Sequence, residues 1–407
     1  MNATKPDAVV TGIGVAAPNG LGVTDYWSAT LAGKSGIARI DAFDPSGYPA
    51  TLAGQVPGFD ATQHIPSRLI PQTDRMTRLA LTATAEALAD AEVDLAQLPE
   101  YAAGVVTASS AGGFEFGQRE LQALWSKGSA HVSAYQSFAW FYAVNTGQIS
   151  IRHDLRGPSG VLVSEQTGGL ESLAQARRQL RKGTRLIVSG GVDGAICPWG
   201  WAAHLADGQL SRSSEPSQAF LPFSEDANGQ VVGEGGAILV VEDAASARER
   251  GADVYGAVVG HAATFDPRPG SNREPGLRRA IQQALADAGV APGEIDVVFA
   301  DAAGLPESDA AEAEALNAVF GPEAVPVSVP KTMTGRLLAG GGALDVATAL
   351  LALRHGVIPA AVHVSRAAAD HRIDLVVGRP RPAELRHALV LARGRGGFNS
   401  ALVLRRD

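Results

Sequence analysis

The sequence predicts an α/β protein whose sheets are covered on both faces and whose chain is built as two similar halves. Three observations predict it. Apolar runs of strand length carry no polar alternation, Ala- and Leu-rich segments with helical spacing separate them, and the strand motifs of the first half recur in the second. A strand covered on one face alternates apolar with polar residues. A strand covered on both faces is apolar throughout, and helices are what cover it.

The first strand is expected at 8–15, ending in Gly12-Ile13-Gly14. A helix at 77–91 follows, with Leu81, Ala85 and Leu88 recurring at i, i+4 and i+7. A buried strand is expected at 101–107. A further strand at 161–164 turns through Glu165-Gln166-Thr167-Gly168-Gly169 into a helix at 170–180, and 186–192 and 236–241 read as further buried strands. The second half repeats the scheme. Strands are expected at 254–260, 295–300, 388–392 and 400–404, with helices at Gly276–Ala288, 308–319 and 343–353. The apolar stretch 343–362 is broken by Asp345, Arg354 and His355, so a buried amphipathic helix and a strand explain it better than a membrane span.

The halves pair by role. Val9-Val10-Thr11-Gly12 answers to Val258-Val259-Gly260, Val105-Val106-Thr107-Ala108 to Val297-Val298-Phe299-Ala300, and the run from Gly236 to the run from Asn399. Uneven spacing between the pairs excludes a solenoid. Residues 1–250 form the first half, with insertions, and 251–407 the second; the join falls in a charged helical connector at 244–251.

The 407 residues are 45% hydrophobic and 19% charged, which suits a globular chain with a large core. A net charge of −8 argues against a nucleic-acid partner, which would need clustered Lys and Arg. The densest basic run, Arg177-Arg178-Gln179-Leu180-Arg181-Lys182, reads as a solvated helix end. The one cysteine, Cys197, excludes an intrachain disulfide, and no CxxC metal pattern occurs. A reducing cytoplasm fits, with Cys197 itself a buried, inert thiol. Residues 1–7 have no basic region followed by an apolar one, so no signal peptide is expected.

The strand–turn–helix around Gln166 is the most informative feature. A residue there sits at a strand end beside the positive end of a helix dipole, which suits an activated nucleophile and backbone donors for an oxyanion. The residue present is an amide, which can only donate and accept hydrogen bonds.

Here the sequence resembles a known family over nearly its whole length. The carriers are Val163-Ser164-Glu165-Gln166-Thr167-Gly168-Gly169-Leu170, Ser189-Gly190-Gly191-Val192-Asp193, Pro222-Phe223 with Val232-Gly233-Glu234-Gly235-Gly236, and Gly394-Arg395-Gly396-Gly397-Phe398-Asn399. The segment from Ser137 to Ser150, with Phe138, Trp140, Phe141 and Tyr142, adds to them. Together they resemble the chain length factors, the beta ketosynthase subunits of type II aromatic polyketide synthases. The resemblance implies a thiolase-like, five-layer αβαβα fold of two duplicated halves.

It further implies that Gln166 stands where condensing relatives carry a nucleophilic Cys. Asp301, opening Asp301-Ala302-Ala303-Gly304-Leu305, replaces the first catalytic His, with Asp309 and Glu312 supporting the register. Arg336, closing Lys331-Thr332-Met333-Thr334-Gly335-Arg336, replaces the second, while Lys331 is kept. The nine His of the chain, His153, His204 and His261 among them, fall elsewhere and read as structural or surface residues. Asp301 and Arg336 are expected to fill the former site as a buried ion pair. The implied partners are an alpha ketosynthase subunit, forming a heterodimer across the aromatic face, and an acyl carrier protein. No cofactor or metal is implied beyond the phosphopantetheine on which that carrier presents substrates.

By the same resemblance Phe114, Gly117, Leu121 and Trp199 gate the acyl tunnel. Relatives making shorter chains tend to be bulkier at Gly117 and Leu121, so a long tunnel and a long product are expected. A helix-interior Gly is disfavoured by about 1 kcal/mol against Ala, which hints that the space is used; close helix packing against the partner is the rival explanation. Two other readings stand beside this one. Gln166 could polarise a malonyl thioester in a decarboxylase that supplies an acetyl starter, or the chain could serve a reducing pathway with a linear product.

Overall fold

A computed structural model describes residues 8–268, 270–271 and 273–407; the terminal segment 1–7 read above lies outside the described residues. The main strands, in chain order, are β1 (Ala8–Ala17), β2 (Ala103–Ala108), β3 (Ser159–Leu162), β4 (Leu186–Asp193), β5 (Gly235–Asp243) and β6 (Gly256–Phe265). The second set is β7 (Val297–Phe299), β8 (Pro326–Ser328), β9 (Asp374–Leu375), β10 (His387–Gly394) and β11 (Phe398–Arg405). The helices that cover them are α1 (Arg75–Asp90), α2 (Phe114–Lys127), α3 (Val144–His153), α4 (Gly168–Leu180), α5 (Pro198–Leu205), α6 (Gly276–Ala288), α7 (Pro306–Phe320) and α8 (Ala339–His355).

The strands hydrogen-bond in the order β9-β8-β7-β10-β11-β6-β1-β5-β4-β2-β3. Within it lie two equal runs, β3-β2-β4-β5-β1 and β8-β7-β10-β11-β6. Each is parallel over its first three strands and antiparallel over the rest. The duplication is therefore one of topology as well as of motif. The two runs meet where β1 pairs with β6 at Ala8↔Val258, Val9↔Ala257 and Val10↔Gly256.

Successive strand side chains point to opposite faces, and here both faces are apolar. Val106, Ile187 and Leu239 share one core with Val297, Phe299 and Leu402 of the second half. That central core is filled by α4, through Leu170 and Leu173, and by α8. The alternate residues Val105, Val188 and Val240 pack under Leu79, Ala83 and Ala87 of α1. On the far side Val298, Leu389 and Val403 pack under Leu277 and Ile281 of α6 and Leu316 of α7. The result is helix, sheet, helix pair, sheet, helix: the five-layer αβαβα arrangement.

Two expectations need correcting. Helix α8 is not amphipathic, because every residue from Ala339 to Leu353 is buried in the middle layer. It also starts before 343, running through Gly340-Gly341-Gly342, where glycine's low helix propensity masks it in sequence. The basic run after Leu173 is not wholly solvated either, since Arg177 is buried and ion-paired with Asp287. Among the described residues no helix is long and apolar enough to cross a membrane.

The glycines let the two central helices touch. A Cβ on Gly169 of α4 would sit 2.3 Å from the Ala343 nitrogen of α8, inside backbone that cannot move aside. Gly169→Ala should lower the melting temperature in step with an overpacking cost of about 1–3 kcal/mol. Gly147→Ala, in α3 with no neighbouring atom within 4 Å, should hold or raise it. Equal melting curves for the two variants would contradict this packing.

Candidate functional site

The middle layer delivers the site. After β3 the chain turns sharply at Glu165, in the left-handed region at φ 54°. It passes through a short 3-10 turn, Glu165–Thr167, into the N-terminus of α4. Gln166 is buried on that turn. With its amide oriented to satisfy its neighbours, Nε2 donates to Leu338 O at 3.1 Å and Oε1 accepts from Leu338 N at 3.3 Å. Both polar atoms of the amide are thus spent on one backbone unit just before α8.

Asp301 follows β7, and Arg336 precedes α8. They form a two-pronged buried ion pair, Nη1 to Oδ2 at 2.9 Å and Nη2 to Oδ1 at 3.2 Å. Arg336 also donates to the carbonyls of Asp301 at 3.0 Å and Arg393 at 3.1 Å, and Asp301 Oδ1 accepts the Arg393 N–H at 2.9 Å. The side chains are 5% and 3% exposed, so water screens them little. Lys331 donates to the Ala300 and Asp301 carbonyls at 2.7 and 2.9 Å, and pairs with Asp345 of α8 at 2.7 Å. Glu312 of α7 accepts the N–H groups of Asp301 and Ala302 at 2.8 and 2.9 Å.

The charges tune one another. Burial opposes ionisation of Asp301, but Arg336 and then Lys331 outweigh it and hold its carboxyl below the ordinary range. Burial, with Asp301 close by, pushes Glu312 up to about 7. Burial also raises Asp345, against the pull of Lys331.

Non-glycine residues with positive φ flank these groups: Glu165 beside Gln166, Ala302 beside Asp301, and Leu338 two residues after Arg336. Such backbone is strained and persists only where its surroundings hold it. Here Glu312 holds Ala302, and the Gln166 amide holds Leu338.

Above the ion pair opens a cavity of about 250 Å³, lined among others by Glu165, Asp207, Asp301, Arg336, Arg393 and Arg395. Two contacts cross its rim. The Arg395 N–H donates to Glu165 Oε2 at 2.8 Å, and the Arg395 guanidinium pairs with Asp207.

The four residues expected to gate a tunnel lie apart from this site. Helix α2 has no capping side chain of its own, and buried Asp74 accepts the Phe116 N–H at 2.8 Å in its place. Phe114 packs on Trp199 with ring centroids 4.7 Å apart, and Gln118 Oε1 accepts the Trp199 N–H at 2.7 Å. Phe114, Gly117 and Trp199 therefore meet, and Leu121 lies one turn further along α2. The expected open volume beside Gly117 is filled: a Cβ there would stand 3.2 Å from Trp199 Cζ3 and 3.5 Å from Trp140 Cβ. Cys197 is buried and caps α5, and burial pushes its thiol up to about 11.

Comparison with known proteins accords with this architecture. The beta-ketoacyl synthase N-terminal domain matches residues 5–247, and the C-terminal domain matches 255–365. The chain belongs to the beta-ketoacyl synthase family. A Streptomyces coelicolor member named as an actinorhodin polyketide beta-ketoacyl synthase 2 is 60% identical across 98% of both chains. The tetracenomycin polyketide synthase ketoacyl synthase beta subunit of Streptomyces glaucescens is 59% identical over the full length of both. A solved structure of the ishigamide ketosynthase/chain length factor superposes with a TM-score of 0.89 at 26% identity, covering 99% of this chain and 100% of that one.

Sequence reasoning missed several groups in this ketosynthase-fold site. Glu165 was read only as part of a motif, and Arg395 only as part of a glycine-rich turn. Asp345 is noted only as a break in an apolar stretch, although it is the lone acid of α8 and so carries a signal, and Leu338 gives no sign in the sequence. Leu338 acts through its backbone, which no side-chain pattern reveals.

Removing one partner of a buried pair costs about 3–5 kcal/mol. In Arg336→Met, the Asp301 carboxyl loses its main counter-charge and its pKa moves above the ordinary 3.8. The stability deficit against wild type should then be smallest in acid and widen as pH rises toward neutrality, because an acid with a raised folded pKa loses stability on ionising. Melting curves from pH 4 to 8 would read this; a deficit independent of pH would argue that the pair is not charged.

Proposed function

We propose that the chain is the non-condensing beta subunit, or chain length factor, of a type II polyketide synthase ketosynthase heterodimer. One observation carries this reading. Where condensation needs a thiolate and two imidazoles, the chain holds an amide and an ion pair, all bound to their own surroundings. Condensation requires a sulfur to accept the growing acyl group and donors to stabilise the enolate formed as malonyl loses CO2. Gln166 cannot form the thioester. Asp301, ionised beside Arg336, would repel an enolate. In this reading Lys331 positions the Asp301 loop through its carbonyls, and the halves divide at 250/251.

A subunit without its own chemistry needs a partner with one, and the surface offers a place for it. Strand β3 is a sheet edge, and none of its residues is buried. Val163, directly after it, is 50% exposed, and in the segment leading into α3, which packs on β3, Tyr135, Trp140, Phe141 and Tyr142 are 37–45% exposed. An open edge flanked by aromatics suits a large apolar interface. The occupant is the alpha ketosynthase, which would supply the Cys and both His. Substrates would arrive on an acyl carrier protein, and the subunit would need no cofactor of its own.

The Phe114–Gly117–Leu121–Trp199 cluster would then form the far wall of the shared acyl tunnel. Because Trp199 fills the notch at Gly117, chain length depends on where that indole lies as well as on the missing Cβ. A long product requires the ring to swing aside when the chain arrives. Co-expressed with a Cys-bearing ketosynthase, the chain should purify with it one to one. Gly117→Thr with Leu121→Phe should then shift the product toward fewer ketide units; an unaltered product spectrum in that complex rejects the gating role.

The decarboxylase alternative asks Gln166 to polarise a thioester carbonyl, which its two bonds to Leu338 oppose. Gln166→Ala should leave supply of the acetyl starter unchanged. If starter supply alone falls, and acetyl-loaded carrier restores it, the decarboxylase is the correct function.

A further inference from the structure

Phe114, Gly117, Gln118 and Leu121 stand at i, i+3, i+4 and i+7 of α2, a single stripe of its surface. Three of them belong to the expected gate. The fourth, Gln118, is polar and half-buried, and its Oε1 accepts the Trp199 N–H at 2.7 Å.

That bond supplies what α5 lacks. The first N–H groups of a helix find no acceptor inside it. Pro198 opens α5 and has no N–H, and the Gly200 N–H meets only Cys197 Sγ at 3.4 Å, a weak acceptor. Trp199 carries the first donor of the helix, and Gln118 reaches across from α2 to take it. Two residues on, Trp201 is fully buried, and its Nε1 donates to the Ala50 carbonyl at 3.0 Å. Helix α5 is thus anchored in the core at Trp201, while its first turn is held by α2.

The start of α2 is itself well fixed. Buried Asp193 accepts the Ser110 and Ala111 N–H groups at 2.6 and 3.3 Å, and buried Asp74 accepts that of Phe116. The Trp199 end of α5, with its indole 38% exposed, is the freer side of the pair. A ring contact such as that with Phe114 survives some sliding of one plane over the other, whereas a hydrogen bond weakens steeply off its line. Of the two contacts, the bond to Gln118 is therefore the one that fixes a position.

We propose that Gln118 is a positioning residue for chain length: its amide oxygen pins the first turn of α5, keeps the Trp199 indole over Gly117, and so sets how far a growing acyl chain extends before it meets the ring. The inference rests on the gating role proposed above and adds to it a residue that acts through Trp199.

The test uses the full chain co-expressed with a Cys-bearing ketosynthase and reads the ratio of longer to shorter products by mass spectrometry. Gln118→Leu keeps the bulk and removes the acceptor. It should raise that ratio about fivefold, the shift that losing one neutral hydrogen bond permits. Gln118→Ala removes the same acceptor and should act in the same direction. Gln118→Glu keeps an acceptor and should hold the wild-type ratio. Loss of stability alone would lower the yield without lengthening the product, so a fall in yield at constant ratio counts against the inference. Gly117→Thr with Leu121→Phe is run beside these variants. If that double variant shortens the product while both acceptor-free variants keep the wild-type ratio, the role of Gln118 is overturned and the gating role stands. If none of the variants alters the ratio, both are overturned.

Discussion

The pairing of Asp301 with Arg336 is the interaction on which the rest of the site depends. Each charge alone would be costly to bury, and together they are tolerable only because further bonds complete them. Arg393, Lys331 and Glu312 supply those bonds, and through them the loop after β7, the turn before α8 and the end of β10 become one unit. That unit fixes Leu338, and Leu338 fixes Gln166. The ion pair and the amide are thus parts of one connected arrangement at the end of the middle layer.

That arrangement exists because of the layering. Two central helices can lie between two sheets only if their backbones approach closely, which the glycines of α4 and α8 allow. Their N-termini then come to the same end of the middle layer, where strained residues already bend the chain. The space there is filled by groups that bond to one another, with only the Arg336 Nε left unpartnered among the atoms of the ion pair.

Much of this was legible in the sequence. The apolar strands, the duplicated order and the turn at Gln166 follow from periodicity, because a doubly covered sheet leaves a plain signature. The Asp301–Arg336 pair was legible once the resemblance had set the register, since opposite charges replacing two neutral rings have an evident physical outcome. Other features were hidden for identifiable reasons. The start of α8 was masked by three glycines whose propensity is overridden by close packing. The two-residue strand β9 is too short to show a period. Arg177 looked solvated because its partners, Val259 and Asp287, lie far along the chain. The filling of the notch at Gly117 depends on Trp199, which arrives from another helix and cannot be inferred from the spacing within α2.

In the proposed reading, that indole bears on how chain length is set. Its backbone nitrogen hangs on the side chain of Gln118, one residue from the glycine it covers. In that reading helices α2 and α5 would act like the jaws of a caliper whose setting is locked by a single amide. Variation among related synthases need not alter any residue that lines the bore. Loosening the lock would recalibrate the instrument from behind, and sequence comparisons restricted to the bore would overlook the change.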